Sequence, residues 1–135
     1  MSLRGDRIAA RARDLVGTRF RPQGRDPRFG LDCVGTAARA AGVAAERVRR
    51  DYPLRGPDLT QVENGLCDLG CAPVRQEEME AGDVIVCAPG AGQIHLAVAI
   101  GTGIVHADAG LKLVVERPGP LPWPVLGVWR MMGDE

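Results

Sequence analysis

The chain has 135 residues, 45% of them apolar and 25% charged, with no net charge. That length suits one domain with its own core, so residues 1–135 are read as a single unit. The balance excludes disorder, a coiled coil and a nucleic-acid protein built on a broad basic face. No apolar run approaches the roughly 18 residues that a membrane span needs, so neither nucleic acid nor membrane is an expected partner.

Zero net charge hides a division. Through Arg55 there are thirteen basic and six acidic side chains, and from Gly56 onward four and eleven. The amino end, "MSLRGDRIAARARDLVG", lacks the apolar stretch of a secretory signal, so the chain is expected to remain in the cytoplasm unless another system delivers it. Residues 1–5 are expected to be disordered or extraneous to the fold. Four cysteines in such a context read as free thiols, and Cys67, Cys71 and Cys87 as small buried apolar side chains. The spacing Cys67-x-x-x-Cys71 matches neither the common zinc spacings nor a redox pair.

In chain order, Asp6 to Val16 reads as a first helix with Ile8, Ala12, Leu15 and Val16 on one stripe and Gly17 as its stop. "GTRFRPQGRDPRFG", Gly17 to Gly30, is a long irregular connection of the kind that carries function in compact domains. Asp32 is a good N-cap for a second helix, "CVGTAARAAG", closed by Gly42. Its Val34, Ala37, Ala38 and Ala41 form a stripe of small apolar residues suited to lying against a sheet. "DYPLRGP" is turn-rich, and "DLTQVENGLCDLG" reads as a helix starting near Asp58 or Thr60. After "EAGD" the pattern changes to strands: "DVIVCA", "IHLAVAI", "GIVHA", "LKLVVE" and "VLGVWRM". Helices followed by an antiparallel meander predict an α+β fold.

Cys33 alone among the thiols stands at a helix start. The macrodipole and unpaired N–H groups there favour a thiolate, while Asp32 opposes it, so activation needs a cationic partner. The chain has two histidines, His95 and His106, in consecutive predicted strands. A hairpin turning at Gly101-Thr102 sets Ala97 opposite His106 and makes His106 the diagonal neighbour of His95, within reach of a ring-to-ring hydrogen bond. A turn at Thr102-Gly103 keeps both rings on one face but further apart, and a three-residue turn separates them. Ala97 and Ala99 on that face leave room for the Cys33 helix to dock. Cys33, His95 and His106 then have the types and order of nucleophile, base and orienter, with Cys33 expected to react below the pH of an ordinary thiol.

"GTRFRPQGRDPRFGLDCVG", "EAGDVIV" and "IHLAVAIGTGIVHADAG" together resemble the NlpC-type cell-wall peptidases, a papain-like cysteine peptidase family, and especially their phage or prophage members. The resemblance spans Ile8 to Arg130, with its blocks in family order; cysteine before histidine separates it from circularly permuted acyltransferase relatives. It implies a papain-like α+β fold in which N-terminal helices, one carrying the nucleophile, pack on a C-terminal antiparallel sheet. It also implies hydrolysis of an amide bond in peptidoglycan stem peptides, commonly after D-γ-glutamate, with Cys33 as nucleophile, His95 as base and His106 orienting it. The Cys33 N–H would contribute to the oxyanion hole, and no metal or organic cofactor is required. Asp32, Phe20 and Val34 fall at substrate-binding positions. Phe20 replaces a frequent tyrosine and Val34 a frequent serine, which bears on substrate choice, whereas Asp32 matches a position that receives a stem-peptide amine in some members.

Two rival readings differ in class. One is a peptidase-like binding module of a phage tail or similar assembly, with "PGPLPWPVLGVW" as a docking patch or as ordinary core and edge packing. The other is a zinc site of His95, His106 and cysteines. A wall-acting enzyme made without a leader would reach its substrate by lysis or with a phage tail, whose proteins are then the expected partners.

Overall fold

The structure, a computed structural model, describes residues 3–48 and 58–132. The turn-rich passage 51–57 lies outside the described residues. Three helices, α1 (Leu3–Asp14), α2 (Cys33–Ala41) and α3 (Leu59–Asp68), accompany a six-stranded antiparallel sheet. The fold is α+β, as the order of patterns predicts.

Helix α1 begins earlier than its apolar pattern suggests. Leu3, Arg4 and Gly5 belong to it, and Gly5 is buried against Gly82, so residues 3–5 are part of the fold. Ile8, Ala9, Ala12 and Leu15 are buried, while Val16 is exposed beyond the helix end. The predicted irregular connection contains a small ribbon, β1 (Arg25–Asp26) paired with β2 (Gly30–Leu31). It also bridges from Arg19 to Leu113 and from Phe20 to Leu31.

The main strands are β3 (Cys71–Val74), β4 (Val84–Cys87), β5 (His95–Ala99), β6 (Gly103–Asp108), β7 (Leu113–Pro118) and β8 (Val125–Met131). Their spatial order is β3-β8-β4-β5-β6-β7. The expected meander holds from β4 to β7, but β8 returns to the far side of β4, and the unpredicted β3 covers β8. Pro73 marks β3 as an edge strand, where a missing N–H is tolerated. Where β4 meets β8, Asp83 is buried and accepts from Arg130 Nε and Nη2 at 2.8 and 2.9 Å.

The two faces of the sheet bury different clusters. Leu96, Val98, Ile100, Val105 and Ala107 face the helices and pack with Ile8, Ala12, Ala37 and Ala40. Ile85, Cys87, Ala97, Ala99 and Ile104 form a second cluster under Leu121, Trp123 and Val125. The expectation that Ala97 and Ala99 receive the Cys33 helix is therefore corrected. Close approach needs small residues on one partner only; the alanines of α2 supply it, so β5 presents Leu96 and Val98 to the helix. The predicted stripe Val34, Ala37, Ala38 and Ala41 lies along a cleft, with Ala37 also reaching the core. Cys71 and Cys87 are buried as expected, but Cys67 is exposed, because α3 buries Leu66 alone among its side chains.

The β5–β6 hairpin adopts the register that suits the histidines. Val98 pairs with Val105, Ala99 with Ile104, and the Ile100 N–H donates to Gly103 O at 3.0 Å. Gly101 has a φ of 89° at the first turn position, a conformation glycine adopts without strain. Continuing that register places Ala97 opposite His106.

Candidate active site

Helix α2 is fixed at its first turn by Asp32. This residue is buried, with an extended backbone, and its Oδ1 accepts from the Gly35 N–H at 2.7 Å. Its carbonyl accepts from the Thr36 N–H and hydroxyl at 2.9 and 2.8 Å. The sequence shows the N-cap but not its counter-ion. Arg25 Nη1 donates to Asp32 Oδ1 at 3.0 Å with both side chains buried. Gln23, held at a φ of 56°, donates its N–H to Oδ2 at 3.0 Å. The carboxylate is thus engaged by the helix and by the preceding loop. Backbone atoms of Gly30 and Arg21 exclude a Cβ at position 24, and the Gly24 carbonyl closes on Gly35 beside the carboxylate and leaves no room for a Cβ at position 35. That contact is the local reason for glycine two residues after the cysteine.

Cys33 opens α2, partly buried, with the backbone N–H groups of Val34 and Leu96 at its sulfur. Burial, reinforced by the Asp32 charge, pushes the thiol up to about 12. This direction runs against the expected low-pH thiolate: the two N–H groups lower the thiol by less than burial and the adjoining carboxylate raise it. Cys71 and Cys87 are pushed up to about 11, mainly by burial.

His95 is the first residue of β5, paired with Cys87 of β4, whose thiol donates to the His95 carbonyl at 3.4 Å. His95 Nε2 and His106 Nδ1 are 2.9 Å apart. Burial, then the neighbouring His106, lowers His95 to about 4, with Asp108 opposing. Burial also lowers His106, opposed by Asp108 and the Ala107 backbone. Both rings are therefore neutral near pH 7. The bridge engages Nε2 of His95 and leaves Nδ1 as its remaining nitrogen.

Cys33, His95, Asp32, Phe20 and Val34 all line one cleft of about 950 Å³ between α2, α3 and the sheet, a volume within the range of ligand-binding clefts. His106 does not line it and touches His95 from behind. Trp123 was legible only as packing or a docking patch. Its indole lies edge-to-face with both imidazoles, with centroids 5.6 Å from His95 and 5.1 Å from His106. Trp129 is buried in the helix-facing core. Among the described residues, no three His, Cys, Asp or Glu side chains are grouped as metal ligands. No helix among those residues is long and apolar enough to cross a membrane.

No family model and no curated protein matches the chain. Its structure is similar to NlpC2 of Trichomonas vaginalis, at 16% identity and a TM-score of 0.69 over 97% of this chain and 47% of that one. It is also similar to an NlpC/P60 family protein of Bacillus cereus ATCC 10987, at 25% identity and a TM-score of 0.64 over 92% and 39%. A third similar structure is the peptidoglycan hydrolase RipB of Mycobacterium tuberculosis, at 19% identity and a TM-score of 0.61 over 97% and 66%. The chain spans less than half the length of the first two. The shared architecture extends over nearly all of this chain, with the helices before the sheet as in the expected papain-like arrangement. The fold of the chain is the one seen in these NlpC/P60 structures.

Proposed function

We propose that the chain is a cysteine peptidase that hydrolyses an amide bond in peptidoglycan stem peptides, after D-γ-glutamate, through Cys33, His95 and His106. The observation that carries this reading is the 2.9 Å imidazole bridge behind a cleft that Cys33 and His95 line together. Similarity to a peptidoglycan hydrolase supports the substrate class.

With its proton on Nε2, donated to His106 Nδ1, His95 has a lone pair at Nδ1 for the thiol proton. As Cys33 Sγ bonds to the scissile carbonyl carbon, that proton passes to Nδ1 and the carbonyl oxygen takes the negative charge. The Cys33 N–H stabilises this oxyanion. Collapse breaks the C–N bond, the amine leaves with the proton from Nδ1, and a thioester remains. Water then attacks the thioester, giving its proton to His95, which returns it to sulfur as the acid product departs. Phe20 and Val34 shape the cleft beside the sulfur. Asp32, engaged by Arg25 and α2, contributes charge and placement there. No metal or organic cofactor takes part in these steps.

Incubation with muropeptides of defined stem, followed by mass spectrometry, tests the reading. New products with a free amine after D-γ-glutamate, absent with Cys33→Ala, are the expected result. A second reading, a binding module of a phage tail or similar assembly, would use the same cleft without turnover. Muropeptide binding without turnover at any pH would select it.

A further inference from the structure

We propose that Trp123 is a positioning residue for the imidazole pair: its indole, on the sheet face opposite the nucleophile helix, holds His95 with Nε2 on His106 and Nδ1 toward the cleft. This inference rests on the peptidase reading for its catalytic meaning. Its geometry stands independently.

The three rings are mutually perpendicular. His95 and His106 lie 5.1 Å apart at 90°, Trp123 meets His95 at 87°, and Trp123 meets His106 at 84°. Edge-to-face contacts of this kind are favourable beyond area burial. A half-turn of the His95 ring about χ2 would break its bridge to His106 and disturb the contact with the indole. Trp123 does not line the cleft, so its influence on a substrate passes through the imidazoles.

The segment carrying the indole is held in place. Pro120, Pro122 and Pro124 restrict the backbone around it. Gly119 donates to Thr102 O at 2.9 Å, and Ala88 donates to Pro124 O at 3.0 Å. Leu121 and Val125 pack on the second cluster with Trp123, where Ala97 and Ala99 make room. From β7, the Arg117 guanidinium lies 5.9 Å from the indole centroid.

The charged and titratable groups around the pair come from several elements: Asp108 on β6, Arg117 on β7, Cys87 on β4 and Cys33 on α2. The indole adds no charge and covers the rings with apolar surface. Removing it admits water, which solvates an imidazolium better than a neutral ring and raises the histidine titrations. It also frees His95 to turn.

The test compares the full chain with Trp123→Leu, which keeps apolar bulk without a ring, and Trp123→Phe, which keeps a ring. NMR titration of the two histidines is read alongside turnover of a defined muropeptide. For Trp123→Leu the expected results are a His95 titration moved up by about one pH unit and kcat down about tenfold, with KM within about twofold. Trp123→Phe is expected to recover most of both. A folded Trp123→Leu whose histidine titrations and turnover match the parent overturns the proposal. The parent supplies an independent measurement: the bridging ring proton should exchange slowly and be visible in the proton spectrum at neutral pH. Fast exchange of that proton overturns the proposal even if no variant folds. If the parent cleaves no muropeptide while the titrations respond as expected, the peptidase reading fails and the positioning role stands.

Discussion

At Cys33 and His95 the structure opposes a resting ion pair. Burial pushes the Cys33 thiol up and the His95 imidazole down, which favours the proton on sulfur at neutral pH; in the proposed mechanism it moves as sulfur attacks. As the proposed base, His95 can accept a proton only while neutral. The acid limb of kcat/KM should therefore lie near pH 4 rather than near the ordinary histidine value, and activity should fall as pH drops through it. Alkylation of Cys33 by iodoacetamide, followed by mass spectrometry, should rise with pH into the alkaline range without a plateau near neutrality. A plateau below pH 7 would establish a thiolate and reverse this assignment. His95→Ala should lose about 10²–10⁴ in kcat, the usual span for a general base. His106→Asn keeps an oxygen acceptor for the Nε2 proton and should lose less than His106→Leu; equal losses would deny His106 an orienting role. The pairing of His95 with His106 was legible in the sequence because the chain has only two histidines and both fall in one predicted hairpin. The protonation state was not, because the balance of burial, dipole and carboxylate depends on packing.

Among the elements, the start of α2 carries the strongest coupling between stability and site. Asp32 caps the helix, pairs with buried Arg25 and raises the Cys33 thiol. Asp32→Asn removes the counter-ion of a buried guanidinium, and breaking such a pair costs about 3–5 kcal/mol. It also removes the anion beside the sulfur, so the two consequences have opposite signs. Thermal or denaturant unfolding should show the stability loss, while Cys33 alkylation at fixed pH, under conditions where the variant is folded, should accelerate. If alkylation stays unchanged, the Asp32 charge does not act on the thiol. Asp32 and Gly42 made the bounds of α2 readable, since both caps follow from residue type. Gly101 likewise made the β5–β6 register readable. Arg25 was not, because nothing local tells which of the arginines near the helix is buried. Ala97 and Ala99 pointed to the wrong partner: their size shows that something approaches closely, and only the three-dimensional structure shows that it is the Trp123 side rather than α2.

At the scale of the whole molecule, the sheet divides the work: one face buries α1 and α2, and the other holds the imidazole pair against Trp123, with His106 buried and His95 reaching the cleft. The class of fold and most strand positions follow from hydrophobic period and turn residues, but the return of β8 beside β4 does not. Adjacent strands favour hairpin pairing, and the choice of partner for the last strand depends on long-range contacts such as Asp83 with Arg130. Burying a neutral histidine also makes the whole fold sensitive to acid. Unfolded His95 takes up a proton near 6.5, whereas the folded residue resists until about 4. As pH falls through that window the unfolded state binds more protons, so stability declines, by up to about 3 kcal/mol from this group at the acid end. Carboxylates titrate in part of the same range, so the informative quantity is the difference between the parent and His95→Asn, each unfolded by urea at pH 7 and pH 4.5. The parent should lose more stability than the variant between those values. Parallel losses would mean that water already reaches the ring in the folded state, and the apolar enclosure of the pair would have to be abandoned.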